Sequence, residues 1–244
     1  MSALGAAGPA QAATYFYKPG HPAEDYAGPN CTGGYAIRGT DGMFFLTAGH
    51  CGVVGDLVYG TDAEYGRIAH NPYTTRDTAL IKPGSGVDAQ LVVDAQQIVV
   101  DGTTGRSPGT GKVTGIFPTS SLGANVLVGK MGMTTGWTEG RIYGVITWHG
   151  MTAFCSTALT RGGDSGGPVW RTDGTGGVLA VGITVAAYTS TGNGCFIPIQ
   201  TLLSYWGASL PVFPAGREGT MPEPPVEPLP TLSSEGLVPA VGTR

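Results

Sequence analysis

The sequence predicts an all-β protein, built as barrels or sandwiches, and three observations carry that reading. Short apolar runs recur along the chain, each bounded by a turn signal. Glycine and proline, 42 and 18 residues, make up about a quarter of the 244 positions, while 41% of the residues are still hydrophobic. That combination suits many short strands joined by tight turns rather than disorder. Only one stretch, Pro198 to Gly207, has a helical pattern, with Leu202, Leu203 and Trp206 on one face. The length allows one large all-β domain or two small barrels sharing a cleft.

The elements follow in order. Residues 1–30 are rich in Gly and Pro and are expected to form a leader or surface segment. Within them Met1 to Ala13 is small and apolar, and Ala10-Gln11-Ala12 resembles a signal-peptidase site. The stretch has no Lys or Arg and is shorter than a full signal peptide. Gly34 to Arg38 and Met43 to Thr47 read as strands, and Gly39-Thr40-Asp41-Gly42 between them reads as a hairpin turn. Arg67 to Ala69, Thr78 to Lys82 and Ala89 to Val100 continue the pattern. A second group of strands follows at Lys112 to Phe117, Asn125 to Lys130, Arg141 to Trp148, Gly167 to Arg171, Val178 to Ala187 and Phe196 to Pro198. Residues 211–244 differ in kind: eight prolines, no cysteine and few aromatic residues predict an extended, mostly disordered tail. Glu223 to Pro230 favours polyproline II.

Charged residues are sparse at 12%, and the net charge of −4 argues against nucleic acid or an anionic membrane as partner. No apolar run approaches the ~20 residues of a spanning helix. The four cysteines, Cys31, Cys51, Cys155 and Cys195, include no CxxC pair, so no structural zinc site or redox motif is expected. Three disulfide pairings are possible. Cys31–Cys51 with Cys155–Cys195 is favoured and would close loops worth roughly 3 and 4 kcal/mol in the chain-entropy model. Disulfides would imply an oxidising compartment and hence export; four buried thiols in a reducing one is the alternative.

Chemistry is concentrated in three segments. Gly163-Asp164-Ser165-Gly166-Gly167-Pro168 surrounds a serine with small residues that let the backbone turn sharply and approach a substrate. Leu46 to Cys51 carries His50, and Asp77 precedes the apolar run Thr78-Ala79-Leu80-Ile81. A serine hydroxyl is a poor nucleophile unless a base takes its proton and a carboxylate holds that base in the correct tautomer. His50, Asp77 and Ser165 supply these groups, and the N–H groups of Gly163 and Ser165 can converge on a developing oxyanion. His21, His70 and His149 lack any comparable setting, and Asp56, Asp62 and Asp101 sit in polar turns. Gly109-Thr110-Gly111-Lys112 imitates a phosphate loop, but its spacing is wrong and Val113 replaces the hydroxyl. Asn30-Cys31-Thr32 fits a glycosylation sequon whose cysteine, once bridged, makes it a poor acceptor.

The order His, Asp, Ser and the segments Phe44 to Cys51, Gly132 to Gly140 and Gly192 to Cys195 resemble the chymotrypsin-like serine peptidases. Within them the likeness is to the bacterial branch of streptogrisins and α-lytic protease, over about residues 31–207. The resemblance implies two six-stranded antiparallel β-barrels with a C-terminal helix: residues 31–105 carrying His50 and Asp77, and residues 106–210 carrying Ser165, the specificity pocket and the helix. It implies a secreted serine endopeptidase that acts on polypeptides as a monomer, without metal or organic cofactor. A processing protease restricted to one partner and a non-catalytic module with the same fold are the alternatives.

The chain also departs from that pattern. Gly129 and Glu139 stand where the branch often has a further disulfide, and Cys155 lies ten residues before Ser165, where relatives place a cysteine much closer. The segment Ser156 to Arg161, including Thr160 and Arg161, should line the primary pocket and has no Asp to bind Lys or Arg. Val185-Ala186-Ala187 should pair with substrate backbone, and Ala187 replaces a common glycine, narrowing the pocket toward small or medium apolar residues. Relatives are often made with a large N-terminal pro-region, and none of that size is expected here.

Overall fold

A computed structural model describes residues 15–25, 30–60, 63–89, 92–93, 111–213 and 227–241. The first half contains β1 (Tyr15–Tyr17), β2 (Pro22–Asp25), β3 (Asn30–Thr32), β4 (Ala36–Gly39), β5 (Gly42–Thr47), β6 (Leu57–Tyr59), β7 (Glu64–His70), β8 (Ala79–Pro83) and β9 (Val87–Ala89). Strands β2 to β8 form an open seven-stranded path in the order β3-β2-β6-β7-β8-β5-β4, while β1 pairs with β9 alone. The β4–β5 hairpin pairs Gly39 with Gly42, as the turn signal predicts, and Gly42 supplies the positive φ of +112°.

Residues 15–25 and 30–32 do more than lie over the surface. Tyr17 is fully buried, its ring stacks on Phe45 with centroids 3.6 Å apart, and its hydroxyl donates to the Gly34 carbonyl at 3.0 Å. These strands are three or four residues long and broken by Gly and Pro, so they carry no readable alternation.

The second half contains β10 (Val92–Val93), β11 (Gly111–Ile116), β12 (Leu127–Gly132), β13 (Gly136–Trp148), β14 (Met151–Leu159), β15 (Pro168–Thr172), β16 (Gly177–Tyr188), β17 (Asn193–Pro198) and the helix α1 (Ile199–Trp206). Six of these close on themselves, β16-β15-β12-β13-β14-β17 and back to β16. The two barrels are thus drawn unequally, an open half-barrel followed by a closed one. Strand β14 is absent from the sequence reading because its hairpin turns on His149-Gly150, at φ of 44° and 68°, rather than on an Asn-Gly signal. Of the expected strand Ala89 to Val100, residues 92–93 form β10, and residues 94–100 lie outside the described residues.

One apolar cluster joins the halves. It gathers Cys31, Tyr35 and Leu46 from the first with Ala153, Ile183 and Ile197 from the second. Burying each large aliphatic side chain there contributes ~1.5–3 kcal/mol. Tyr35 crosses the seam, donating its hydroxyl to the Val169 carbonyl at 2.7 Å. Helix α1 buries Ile199, Leu202 and Leu203 and ends at Gly207, which takes the left-handed conformation at φ 58°. Among the described residues no helix is long and apolar enough to cross a membrane.

The tail departs from its expected disorder over residues 227–241. Val145 on β13 donates to the Pro230 carbonyl at 3.0 Å, and Leu232 donates back to Val145 at 2.7 Å. Gly144 leaves the space that Leu232 fills, since a Cβ there would lie 2.4 Å from its Cγ. The chain then forms β18 (Leu237–Pro239), antiparallel to β16. Composition hides this order because the anchoring is by backbone and by isolated leucines, which have no periodicity. Residues 214–226 lie outside the described residues.

Candidate active site

Ser165 sits in a loop held from both halves by backbone groups. Its carbonyl accepts from Thr32 N–H at 2.7 Å on the first-half side, and Gly166 N–H donates to the Thr184 carbonyl at 2.7 Å on the second. Gly163 and Gly166 take φ of +100° and +85°, values that L side chains rarely adopt. A Cβ on Gly166 would stand 2.2 Å from the Thr32 carbonyl oxygen. The glycines are therefore required both by conformation and by the close approach of β3.

Asp164 anchors the loop from beneath. It is fully buried and ion-pairs with Lys130 on β12 at 2.8 Å. Its two oxygens also accept from the N–H groups of Thr134, Thr135 and Arg161, each at 3.0 Å, and from the Thr135 hydroxyl at 2.6 Å. Lys130 additionally donates to Thr135 Oγ1. Burial pushes the Lys130 ammonium below its ordinary value, and the Asp164 charge and hydrogen bond oppose that shift.

His50 occupies a single turn of 3-10 helix, Gly49–Cys51, pinned by the Cys31–Cys51 disulfide. Asn71 donates to the carbonyls of Gly49 and Gly52 at 2.7 and 2.5 Å, fixing the same turn from β7's end. The His50 ring lies between two partners. Nδ1 is 2.8 and 2.9 Å from the Asp77 carboxylate oxygens, and Nε2 is 2.6 Å from Ser165 Oγ. With an ionised acceptor on one side, the network assigns the proton to Nδ1 and leaves Nε2 to accept from the serine.

Asp77 precedes β8 and is fully buried. Burial alone would raise its pKa; the hydrogen bond and charge of the His50 ring, the Trp148 indole and the His50 backbone N–H together hold it below the usual carboxylate value. Trp148 Nε1 donates to Oδ2 at 2.7 Å, and His50 N–H donates to Oδ1 at 3.1 Å.

The N–H groups of Gly163 and Ser165 converge on one oxygen, the carbonyl of Ala240, at 2.7 and 3.0 Å. Val185 accepts from Ala240 N–H at 3.3 Å, and β16 pairs Ala186 with Pro239 and Ala187 with Val238. Beside this strand lies a cavity of about 370 Å³, bordered by Leu159, Thr160, Arg161, Gly162, Ala187 and Gly192 among others. Thr160, Arg161 and Ala187 thus border this cavity, while Val185 and Ala186 lie on the strand that holds the segment reaching the Gly163 and Ser165 amides. The second bridge, Cys155–Cys195, ties β14 to β17 across the barrel.

Sequence reading missed three contributors. Lys130 is one cation in an ordinary strand, and Trp148 closes a strand with no motif around it. Thr32 donates its hydroxyl to the Gly163 carbonyl at 2.7 Å and accepts from Met133 N–H at 2.9 Å. Its position beside Cys31 was the one available signal. The other titratable groups have different partners. His149 Nδ1 lies 3.0 Å from the Tyr73 carbonyl, and Asp56 accepts from Val53 N–H at 2.6 Å to close a turn. Asp62 and Asp101 lie outside the described residues. Cys31, His50 and Cys51 cluster closely enough to suggest metal ligands, but both sulfurs are consumed in one disulfide.

No protein-family model matches the chain. Streptogrisin-C of Streptomyces griseus is 32% identical over 229 residues, which is 87% of this chain and 44% of that protein. The chain therefore spans less than half the length of this relative. Protease A of Thermobifida fusca is 29% identical, with a TM-score of 0.62 over 81% of this chain and all of that one. Cellulomonas bogoriensis chymotrypsin, at 24% identity and a TM-score of 0.61 over 82% of this chain and all of that one, shares the fold.

Proposed function

The chain belongs to the chymotrypsin-like serine proteases of the bacterial streptogrisin branch, and from that premise we propose that it is an endopeptidase working through His50, Asp77 and Ser165. The observation that carries this reading is the relay of contacts from Asp77 through His50 to Ser165, ending beside two N–H groups already aimed at one carbonyl oxygen. In the reaction Ser165 Oγ attacks the peptide carbonyl carbon as His50 Nε2 takes its proton. The oxyanion forms between the Gly163 and Ser165 amides, an environment typically worth ~3 kcal/mol per donor. His50 then protonates the departing amine, and water enters by the same route to release the acyl group. Asp77 keeps the imidazole in its reactive tautomer and offsets the transient positive charge.

Substrates of this enzyme are extended polypeptides paired to Val185-Ala186-Ala187, with a small or medium apolar residue beside the Thr160 wall. The segment 156–162 offers no acid to a Lys or Arg side chain. The two disulfides suit an oxidising, extracellular setting. Labelling with a fluorophosphonate probe tests the nucleophile: the wild type should label, while Ser165→Ala and His50→Ala should not. A folded wild-type sample that fails to label, and that hydrolyses no peptide, would refute the assignment.

A further inference from the structure

The described part of the tail ends inside the site that it would have to leave for any other chain to enter. Gly236 accepts from Thr189 N–H at 3.0 Å, and Leu237, Val238 and Pro239 pair with Tyr188, Ala187 and Ala186. Ala240 donates to Val185 and places its carbonyl oxygen between the Gly163 and Ser165 amides. Ala240 is buried at 1% exposure, and Ser165 beneath it is fully covered. Val241 follows, packed against the apolar cluster that joins the halves. From Val238 to Ala240 the backbone lies along Val185-Ala186-Ala187, the strand proposed above to pair with substrate, and the carbonyl held by the Gly163 and Ser165 amides is that of Ala240.

We propose that the bond between Ala240 and Val241 is a self-processing site, cut within the same molecule. The proposal rests on the endopeptidase reading above. Ser165 Oγ bonds to the Ala240 carbonyl carbon, its proton passes to His50 Nε2, and the same proton leaves with the Val241 amine as the peptide bond breaks. Water then hydrolyses the ester, restoring Ser165 and leaving Ala240 as a carboxylate. The new carboxylate meets two N–H donors, but it gains a charge beside a largely desolvated site and loses the covalent continuation that packed Val241. Cleavage therefore converts an occupied cleft into one that the tail can vacate. It also identifies a substrate class, uncharged segments of the type Leu-Val-Pro-Ala followed by an apolar residue. Proline is accommodated before the cut because the strand register asks no N–H of residue 239: Val185 takes its hydrogen bond from Ala240.

The test follows intact mass over time for the full chain, beside Ser165→Ala and Ala240→Trp, with hydrolysis of a Leu-Val-Pro-Ala anilide measured in parallel. The expected result is loss of everything from Val241 onward in the wild type, at a first-order rate independent of protein concentration, with Ser165→Ala unprocessed. Ala240→Trp, too bulky for the covered position, should resist processing. A wild type that hydrolyses the anilide yet retains Val241 would overturn self-processing while leaving the endopeptidase reading intact. A processing rate that rises with protein concentration would overturn the intramolecular geometry. If neither the wild type nor Ala240→Trp hydrolyses the anilide, the endopeptidase reading itself fails.

Discussion

Two aspartates flank the site serine, both fully buried, and they are neutralised in opposite ways. Asp164 has a permanent cation, Lys130, and a shell of three backbone N–H groups and a hydroxyl. Asp77 has only donors that are neutral or transiently charged: an indole, one backbone N–H and the His50 ring. A lysine beside Asp77 would satisfy its charge at all times and leave nothing to stabilise the imidazolium as it forms. A histidine beside Asp164 would leave the loop's geometry dependent on a proton. Permanent pairing suits the frame, and deferred pairing suits the chemistry.

The comparison can be broken most severely at Asp77. Asp77→Asn should lower kcat by about 10⁴-fold, because the amide's N–H holds His50 in the wrong tautomer; thermal unfolding of the variant should show that the fold survives. At the other aspartate the loss should be structural. Lys130→Ala leaves a buried charge uncompensated and should cost about 3–5 kcal/mol, read from urea unfolding in a Ser165→Ala background that prevents self-digestion. The double variant Lys130→Met with Asp164→Asn should recover part of that loss, since no bare charge remains.

Smaller effects sharpen the distinction. Trp148→Phe removes one neutral donor from the Asp77 carboxylate and should reduce kcat/KM about tenfold, a cost of ~1.4 kcal/mol, close to the lower end for hydrogen bonds to charged groups. The lowered pKa of Asp77 also has a pH consequence. Its stabilising contribution is fully present above the unfolded carboxylate value of ~3.9 and is lost as pH falls through the lower folded value. Unfolding free energies measured down the acid limb should therefore fall less steeply in Asp77→Asn than in its parent.

The legible part of the molecule was the part built from local necessity. Gly163 and Gly166 need positive φ, and His50 and Asp77 each sit at the start or end of a recognisable apolar run, so sequence alone names them. Lys130, Trp148 and Thr32 act across distances of 34, 71 and 131 residues, on Asp164, Asp77 and Gly163. Nothing in their immediate surroundings announces that partnership. The tail misled in another way. Its prolines point to extended backbone, but extended backbone is also what a sheet edge or a cleft accepts, and composition cannot distinguish a strand without a partner from one that has found it, as residues 227–241 have.

The contacts of Thr32 have a consequence for the newly made chain. Its N–H and hydroxyl, both from the first half, hold the carbonyls of Ser165 and Gly163 in the second. His50 and Asp77 also arrive from the first half, so neither half alone holds all three residues of the proposed triad. During synthesis, when the first half has emerged and the second is still being made, the proposed nucleophile Ser165 is not yet present. On the proposed reading, activity requires the docking that completes the shared apolar cluster, so a half-assembled chain should show no peptidase activity.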